Sequence, residues 1–252
     1  MKYIIFDLEF NQYFNFSEDN TNIAKTKCPF EIIQIGAIKL DENLNTISTF
    51  DVLVKPYVYK DLHPFVQELT GIQLDDLESS KNFKEVYRNF SEFVSSNGTI
   101  LVVWGMTDIK ELFRNISFHG LDSSLIPKEY INIQKYVSKN LNCPKGTNIG
   151  LSSAVELLNI NVKNKFHDAF NDALYTSEIF KKVFNENLKT ARYNPSINKP
   201  LTRQTIKKNK VDTDKLINQF EKMYDREMSE EEKSIINLAY IMGKTNQFQY
   251  VE

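Results

Sequence analysis

Cysteine is scarce in this chain of 252 residues: there are two, Cys28 and Cys143, far apart and without a Cys-x-x-Cys spacing. That argues against a disulfide framework and a cysteine-built zinc site, and leaves each thiol an inert, partly buried role. Long apolar runs are missing as well. The most apolar stretch, "TILVVWG", falls far short of the roughly 20 residues a membrane span needs. The opening "MKYIIFDLE" reaches an acid before the apolar region of about 7–15 residues that a secretory leader requires, so a cytoplasmic protein without membrane attachment is expected. Histidine is rare, at three residues. His63 and His119 read as surface or structural side chains, which leaves His167. No internal repeat and no low-complexity tract is found.

What is present is an ordinary soluble composition, with 41% hydrophobic and 25% charged residues, enough for one sizeable domain and an appendage. The net charge of −2 hides a division along the chain. Residues 1–188 carry 19 Lys and Arg against 24 Asp and Glu, residues 189–210 carry seven basic residues and no acid, and residues 211–252 carry five against nine. A basic strap, from Lys189 and Arg192 to Lys210, therefore joins two acidic pieces. The expected division is a main domain over 1–188, a linker over 189–210 and a helical hairpin over 211–252.

The hydrophobic period begins at two. "KYIIFDLE", "EIIQIGAIKL" and "TISTFDVLVKP" read as strands, the last two joined by the polar turn "DENLN", and the irregular segment 12–30 between the first two reads as an inserted loop. The period then becomes helical in "DLHPFVQELTGI" and "FKEVYRNFSEFVSS". "TILVVWG" has the composition of a central strand buried on both faces. A helix over about 107–118, a short strand "EYINI", a helix "LSSAVELLNI" and a long helix over about 168–186 complete the domain. Strands in series and then alternating with helices specify an α/β fold with a mixed sheet covered on both faces. In the C-terminal piece, Leu216, Phe220 and Met223 share one helical face, and Ser229 with Glu232 spells a capping box for a helix ending near Gly243.

Five acid-x-acid pairs occur: Asp7/Glu9, Asp76/Glu78, Asp212/Asp214, Asp225/Glu227 and Glu230/Glu232. The first lies in a strand-like run, where a period of two sends both carboxylates to one face while Ile4, Phe6 and Leu8 take the other. An ionised carboxylate in such a setting costs several kcal/mol unless it is paired. Asp108 follows the central strand at a strand-to-helix junction, a common ligand position in open α/β sheets, although a Thr107 cap with Asp108 on the helix dipole explains it equally simply. The segment "KFHDAFNDALYTSEIF" adds His167, Asp168 and Asp172. Five residues at about 100° each would turn a helical His167 some 140° from Asp172. His167 must therefore sit on the loop entering the helix if the two serve one site. Four gathered carboxylates push one another toward protonation, and hard divalent cations with oxygen ligands remove the difficulty. Two such ions about 3.5–4 Å apart suit phosphodiester cleavage, and a neutral histidine suits removal of a proton from water.

In order and spacing these residues resemble the DEDDh group of 3′-to-5′ exonucleases, through "FDLEF" with "EIIQIGAIKL", "WGMTDIKEL" and "HDAFNDA", with "LVKP" and "ELTGI" as similar connecting segments. The likeness spans about residues 1–186. It implies an RNase H-like fold with a five-stranded mixed sheet flanked by helices. It also implies Asp7, Glu9, Asp108 and Asp172 as ligands of two Mg²⁺ or Mn²⁺ ions, and His167 as general base. The Trp-Gly pair before Asp108 is more similar to the branch that trims RNA 3′ ends than to the proofreading branch, so single-stranded RNA, ahead of DNA, is the expected substrate and nucleoside 5′-monophosphates the product. Phe10, Asn11 and Met106 stand where the terminal nucleotide would be met. Two departures are plain: Phe10 and Asn11 replace small residues frequent after Glu9, and Gln34 stands where a glutamate is frequent. The strap is a second candidate contact for the nucleic acid backbone, and the 211–252 hairpin a candidate surface for a protein partner. A catalytically silent binding module on the same fold, and an endonuclease sharing the ions, are the competing readings.

Overall fold

A computed structural model describes residues 1–12, 27–96, 98–144, 146–185, 188–195 and 213–244. Most of the 12–30 insertion and most of the basic strap lie outside these residues. The chain forms two compact units, Met1–Asn198 and Lys199–Glu252.

The first unit is built on a mixed sheet. Strand β1 (Lys2–Gln12) is central and pairs antiparallel with β2 (Phe30–Leu40), which pairs antiparallel with β3 (Thr46–Lys55). On its other side β1 runs parallel to β5 (Thr99–Val103), and β5 parallel to β6 (Glu129–Asn132). Two-residue strands close the edges, β4 (Lys81–Asn82) beside β3 and β7 (Ala191–Arg192) beside β6. The sheet therefore has seven strands, in the order β4-β3-β2-β1-β5-β6-β7, where the sequence leads one to expect five. Two residues cannot display a hydrophobic period, so the edge strands are invisible to pattern reading. At the start of the strap, Arg192 lies in β7 and reaches Glu129 at 3.3 Å, and the ring of the next residue, Tyr193, packs tilted against Phe113 at 4.9 Å.

The helices are α1 (Pro64–Thr70), α2 (Leu74–Glu78), α3 (Phe83–Val94), α4 (Thr107–Phe118), α5 (Ile133–Asn140), α6 (Leu151–Leu157) and α7 (Ala169–Val183), with a 3-10 turn at Ser123–Leu125. Helix α5 follows β6 without a loop, and its Ile133 and Val137 face the core. Its eight residues carry one apolar repeat, too short to register as a helix in sequence.

Alternation along β1 divides the core. Ile4, Phe6 and Leu8 pack with Phe90, Ile109, Leu112 and Ile116 on one face; Tyr3 and Ile5 pack with Tyr175, Ile179 and Phe180 on the other. Asp7 and Glu9 extend the second row beyond its apolar part. Gly36, paired with Asp7 across the ladder, is where α7 lands on the sheet: a Cβ there would lie 2.1 Å from the Ala169 carbonyl carbon and 2.2 Å from the Phe170 nitrogen. The helix start and the strand thus touch backbone to backbone, a contact that only glycine permits.

The second unit holds α8 (Thr213–Tyr224) and α9 (Glu230–Lys244). The capping box is formed: the Ser229 N–H donates to Glu232 Oε2 at 2.9 Å and the Glu232 N–H to Ser229 Oγ at 3.3 Å. Leu216 and Phe220 are half-buried, but Met223 is 67% exposed and Met228, in the connecting turn, is buried instead. Among the described residues no helix is long and apolar enough to cross a membrane.

Candidate active site

Asp7 and Glu9 sit near the C-terminal end of β1, half-buried and on the face that α7 covers. Between Glu9 and Phe10 the ladder with β2 slips by one residue. Such a bulge increases local twist and re-aims the side chains that follow. Asp108 is buried in the first turn of α4, just beyond the parallel strand β5. Its place is not that of a simple cap: Met106 is the N-cap residue, without a side-chain cap bond, and Thr107 is exposed. Asp172 is buried in the first turn of α7. His167 precedes the Asp168 N-cap, so it lies on the entering loop as the angular argument requires, and its ring is exposed.

These acids act on one another. Burial, followed by the charges of Asp108, Asp172 and Glu9, drives the Asp7 carboxyl well above the usual carboxylate range. Burial and then Asp172 and Asp108 push Glu9 up to about 8. Burial raises Asp108 to about 7 against the backbone N–H groups of Asp108 and Leu8, which favour its anion. Burial raises Asp172 to about 6, opposed by the backbone N–H and the ring of His167. Among the described residues no lysine or arginine stands with the groups that shift these four. Asp172 Oδ2 accepts the His167 N–H at 3.2 Å, while its Oδ1 is buried without a hydrogen-bond partner among the described residues. An orphaned carboxylate oxygen amid like charges is a group that a cation could satisfy. One ligand atom each from Glu9, His167 and Asp172 lie within 4.8 Å of one another. The donor set, four carboxylates and an imidazole at one end of the sheet, fits hard divalent ions.

The loop carrying His167 is held in an unusual conformation, φ 63°, a left-handed setting that costs a non-glycine residue on the order of 1 kcal/mol or more. Its neighbours explain why it persists. Asp168 Oδ1 accepts the Asn171 N–H at 2.9 Å, capping α7. Gln34, reaching from β2, donates from Nε2 to Asp168 Oδ2 at 2.9 Å and to Asp51 Oδ1 at 3.0 Å, and accepts the Ala169 N–H on Oε1 at 3.1 Å. Sequence reasoning passed over this clamp; the signal within reach was the Asp168-x-x-Asn171 capping pattern after the histidine.

The three residues expected to meet a nucleotide divide. Asn11 is fully buried, with Nδ2 bonded to the Asp61 carbonyl at 2.9 Å and Oδ1 accepting the His63 N–H at 3.0 Å. Its amide holds the 61–63 loop against β1, a structural use that the sequence does not announce. Phe10 and Met106 are half-buried against the core edge, Phe10 with its ring 6.2 Å from Phe30. Of the other histidines, His63 caps α1 by accepting the Phe65 N–H and His119 stacks on Phe83 at 4.8 Å, both structural uses. Cys28 is buried against Asn115 with its thiol pushed up to about 12 by burial, an unreactive setting.

The chain is similar to known proteins in sequence and in fold. The profile of the Exonuclease family (RNase_T) matches residues 4–180. The chain is 28% identical over 165 residues to ERI1 exoribonuclease 3 of Homo sapiens, covering 62% of this chain and 48% of that protein. It is 26% identical over 157 residues to the probable 3′-5′ exonuclease KapD of Bacillus subtilis (strain 168), covering 61% and 73%. The chain thus spans about half the length of the ERI1 relatives it matches. Among solved structures, the nuclease domain of 3′hExo, a DEDDh family member bound to rAMP, superposes with a TM-score of 0.63 at 19% identity, covering 77% of this chain and 96% of that one.

Proposed function

The chain belongs to the exonuclease family, and from that premise we propose that it is a divalent-metal-dependent 3′-to-5′ exonuclease of single-stranded nucleic acid, RNA ahead of DNA, releasing nucleoside 5′-monophosphates. The observation that carries the reading is the cluster of Asp7, Glu9, Asp108 and Asp172, four carboxyls each driven toward protonation and, among the described residues, none relieved by a lysine or arginine. Such a cluster is costly to build and gains nothing for a module without chemistry. The preference for RNA rests on the exoribonuclease name of the ERI1 relatives.

Asp7, Glu9, Asp108 and Asp172 would hold the ions, Mg²⁺ or Mn²⁺. When bound, two such ions supply an acidified water and a counter-charge for the departing 3′ oxygen. His167, exposed on its loop, would take a proton from the attacking water on an imidazole nitrogen and pass it to solvent. The His167 backbone N–H to Asp172 ties the base to the acid cluster. Phe10 and Met106, at the rim, offer apolar surface on which a terminal base stacks. The body's acidic balance suits an enzyme that grips a few nucleotides at one end rather than a long duplex.

The test is incubation of 5′-labelled single-stranded RNA and the matching DNA with the purified chain and Mg²⁺, Mn²⁺ or a chelator. A metal-dependent descending ladder, faster on RNA, is the expected result; internal cuts would favour an endonuclease, and intact strands a binding module.

A further inference from the structure

We propose that Gln34 is a positioning residue for His167, setting the general base through the Asp168 carboxylate; this rests on the exonuclease reading above. Gln34 is 4% exposed and stands opposite Glu9 in the β1–β2 ladder, two residues before the Gly36 seat of α7. Both its amide protons land on carboxylates, Asp168 and Asp51, and its oxygen takes the first N–H of α7, from Ala169. It therefore grips the two residues that follow His167, while Asp172 grips the His167 N–H from the other side. Held at both ends, the left-handed residue between them has little freedom to relax to an ordinary conformation.

The chemistry of the amide matters here. A glutamate of the same shape keeps the acceptor for Ala169 but has no proton to give, and turns its other oxygen on two carboxylates. The Gln34–Asp168 contact thus has a direction, donor on β2 and acceptor on the loop, and that direction can be reversed. In a Gln34→Glu, Asp168→Asn double variant the amide oxygen at position 168 still caps α7, since asparagine is as good an N-cap as aspartate, and the amide nitrogen beside it donates to the carboxylate now at position 34, which leaves Asp51 as the one like charge facing that carboxylate and makes the expected recovery partial.

Wild type, each single variant and the double variant are compared as full chains on a 5′-labelled oligoribonucleotide with Mn²⁺, with thermal melting alongside. Misplacing a catalytic group by about 1 Å costs on the order of 10²-fold, so each single variant is expected to lose roughly 10–100-fold in kcat with KM within about threefold. The double variant is expected to recover at least tenfold over either. The ring resonances of His167, recorded without metal, are expected to move in Gln34→Glu and return in the double variant. Wild-type kcat in the single variants, a loss confined to KM, or losses that simply add in the double variant would overturn the proposal. If Gln34→Glu does not fold, the double variant against Asp168→Asn decides alone. A wild-type chain that leaves every substrate intact overturns the exonuclease reading itself, whereas an active wild type matched by its variants overturns this proposal alone.

Discussion

Asp7 and Glu9 in β1 and Glu230 and Glu232 at the start of α9 share the same acid-x-acid spacing, yet their surroundings treat the charge in opposite ways. Burial and the neighbouring Asp172 and Asp108 push Glu9 up to about 8. The Arg226 guanidinium, at 2.6 Å, and the Ser229 N–H hold Glu232 down to about 2. Its companion Glu230 meets Lys233 at 2.8 Å. At the start of α9 both negative charges have a donor within the chain, and nothing is left for a ligand to do. In the sheet only backbone N–H groups and the His167 ring oppose the rise, and among the described residues no lysine or arginine does, a deficit that the proposed ions would make good. The difference teaches that acid spacing carries no function on its own; what identifies a metal centre is carboxylates that folding gathers and leaves without a counter-charge.

The comparison is broken most sharply at Asp7. On the proposed function, Asp7→Asn is expected to lower nuclease activity by about 10³-fold or more, the order of loss that follows removal of a catalytic group, while the chain stays folded; Glu232→Gln leaves the ladder unchanged. Gly36→Ala is the next largest, because its Cβ meets backbone and not a yielding side chain. Overpacking of this kind costs about 1–3 kcal/mol, and differential scanning calorimetry should show a lower Tm together with lost activity, as α7 shifts Asp172 out of the cluster.

Divalent ions should sharpen the contrast. At about 100 times the dissociation constant a bound ion stabilises by roughly 2.7 kcal/mol, and at about 2–4 °C per kcal/mol for a chain of this size, Mn²⁺ is expected to raise Tm by about 5–10 °C in the wild type and far less in Asp7→Asn. Without metal, pH does part of the same work. The raised carboxyls bind protons in the folded chain where the unfolded chain has released them, so their contribution is fully present below the unfolded value near 4 and is lost as pH rises through about 6, 7 and 8. The metal-free Tm should therefore be higher at pH 5 than at pH 8, with Mn²⁺ narrowing the gap. Glu232 has the reverse sign: its contribution is present above the unfolded value and lost as pH falls toward 2. It should show the smallest effect of all, slightly faster amide exchange in the first turn of α9 when Glu232→Gln removes the charge paired with Arg226 while keeping an acceptor for the Ser229 N–H.

Much of this was legible in sequence. A period of two placed Asp7 and Glu9 on one face of β1, and the angular argument put His167 on a loop, because both rest on local geometry. The clamp that Asn11 makes is not legible because its partners, Asp61 and His63, are some fifty residues away, and no local pattern announces a contact between distant segments. The same distance hid Gln34, whose three bonds reach to Asp51, Asp168 and Ala169. The identity of that residue was visible; what its amide protons meet was not. The edge strands β4 and β7 and the short helix α5 escaped because each is too short to display the period that would reveal it.

The most direct test of the central claim, that a bound cation completes the Asp7, Glu9, Asp108 and Asp172 cluster, is a calorimetric titration of Mn²⁺ into wild type, Asp7→Asn and Glu232→Gln at pH 7.5. Saturable binding with proton release in the wild type and in Glu232→Gln, lost or strongly weakened in Asp7→Asn, is the predicted result. Binding that is absent from the wild type at millimolar Mn²⁺, or that survives unchanged in Asp7→Asn, would contradict the account.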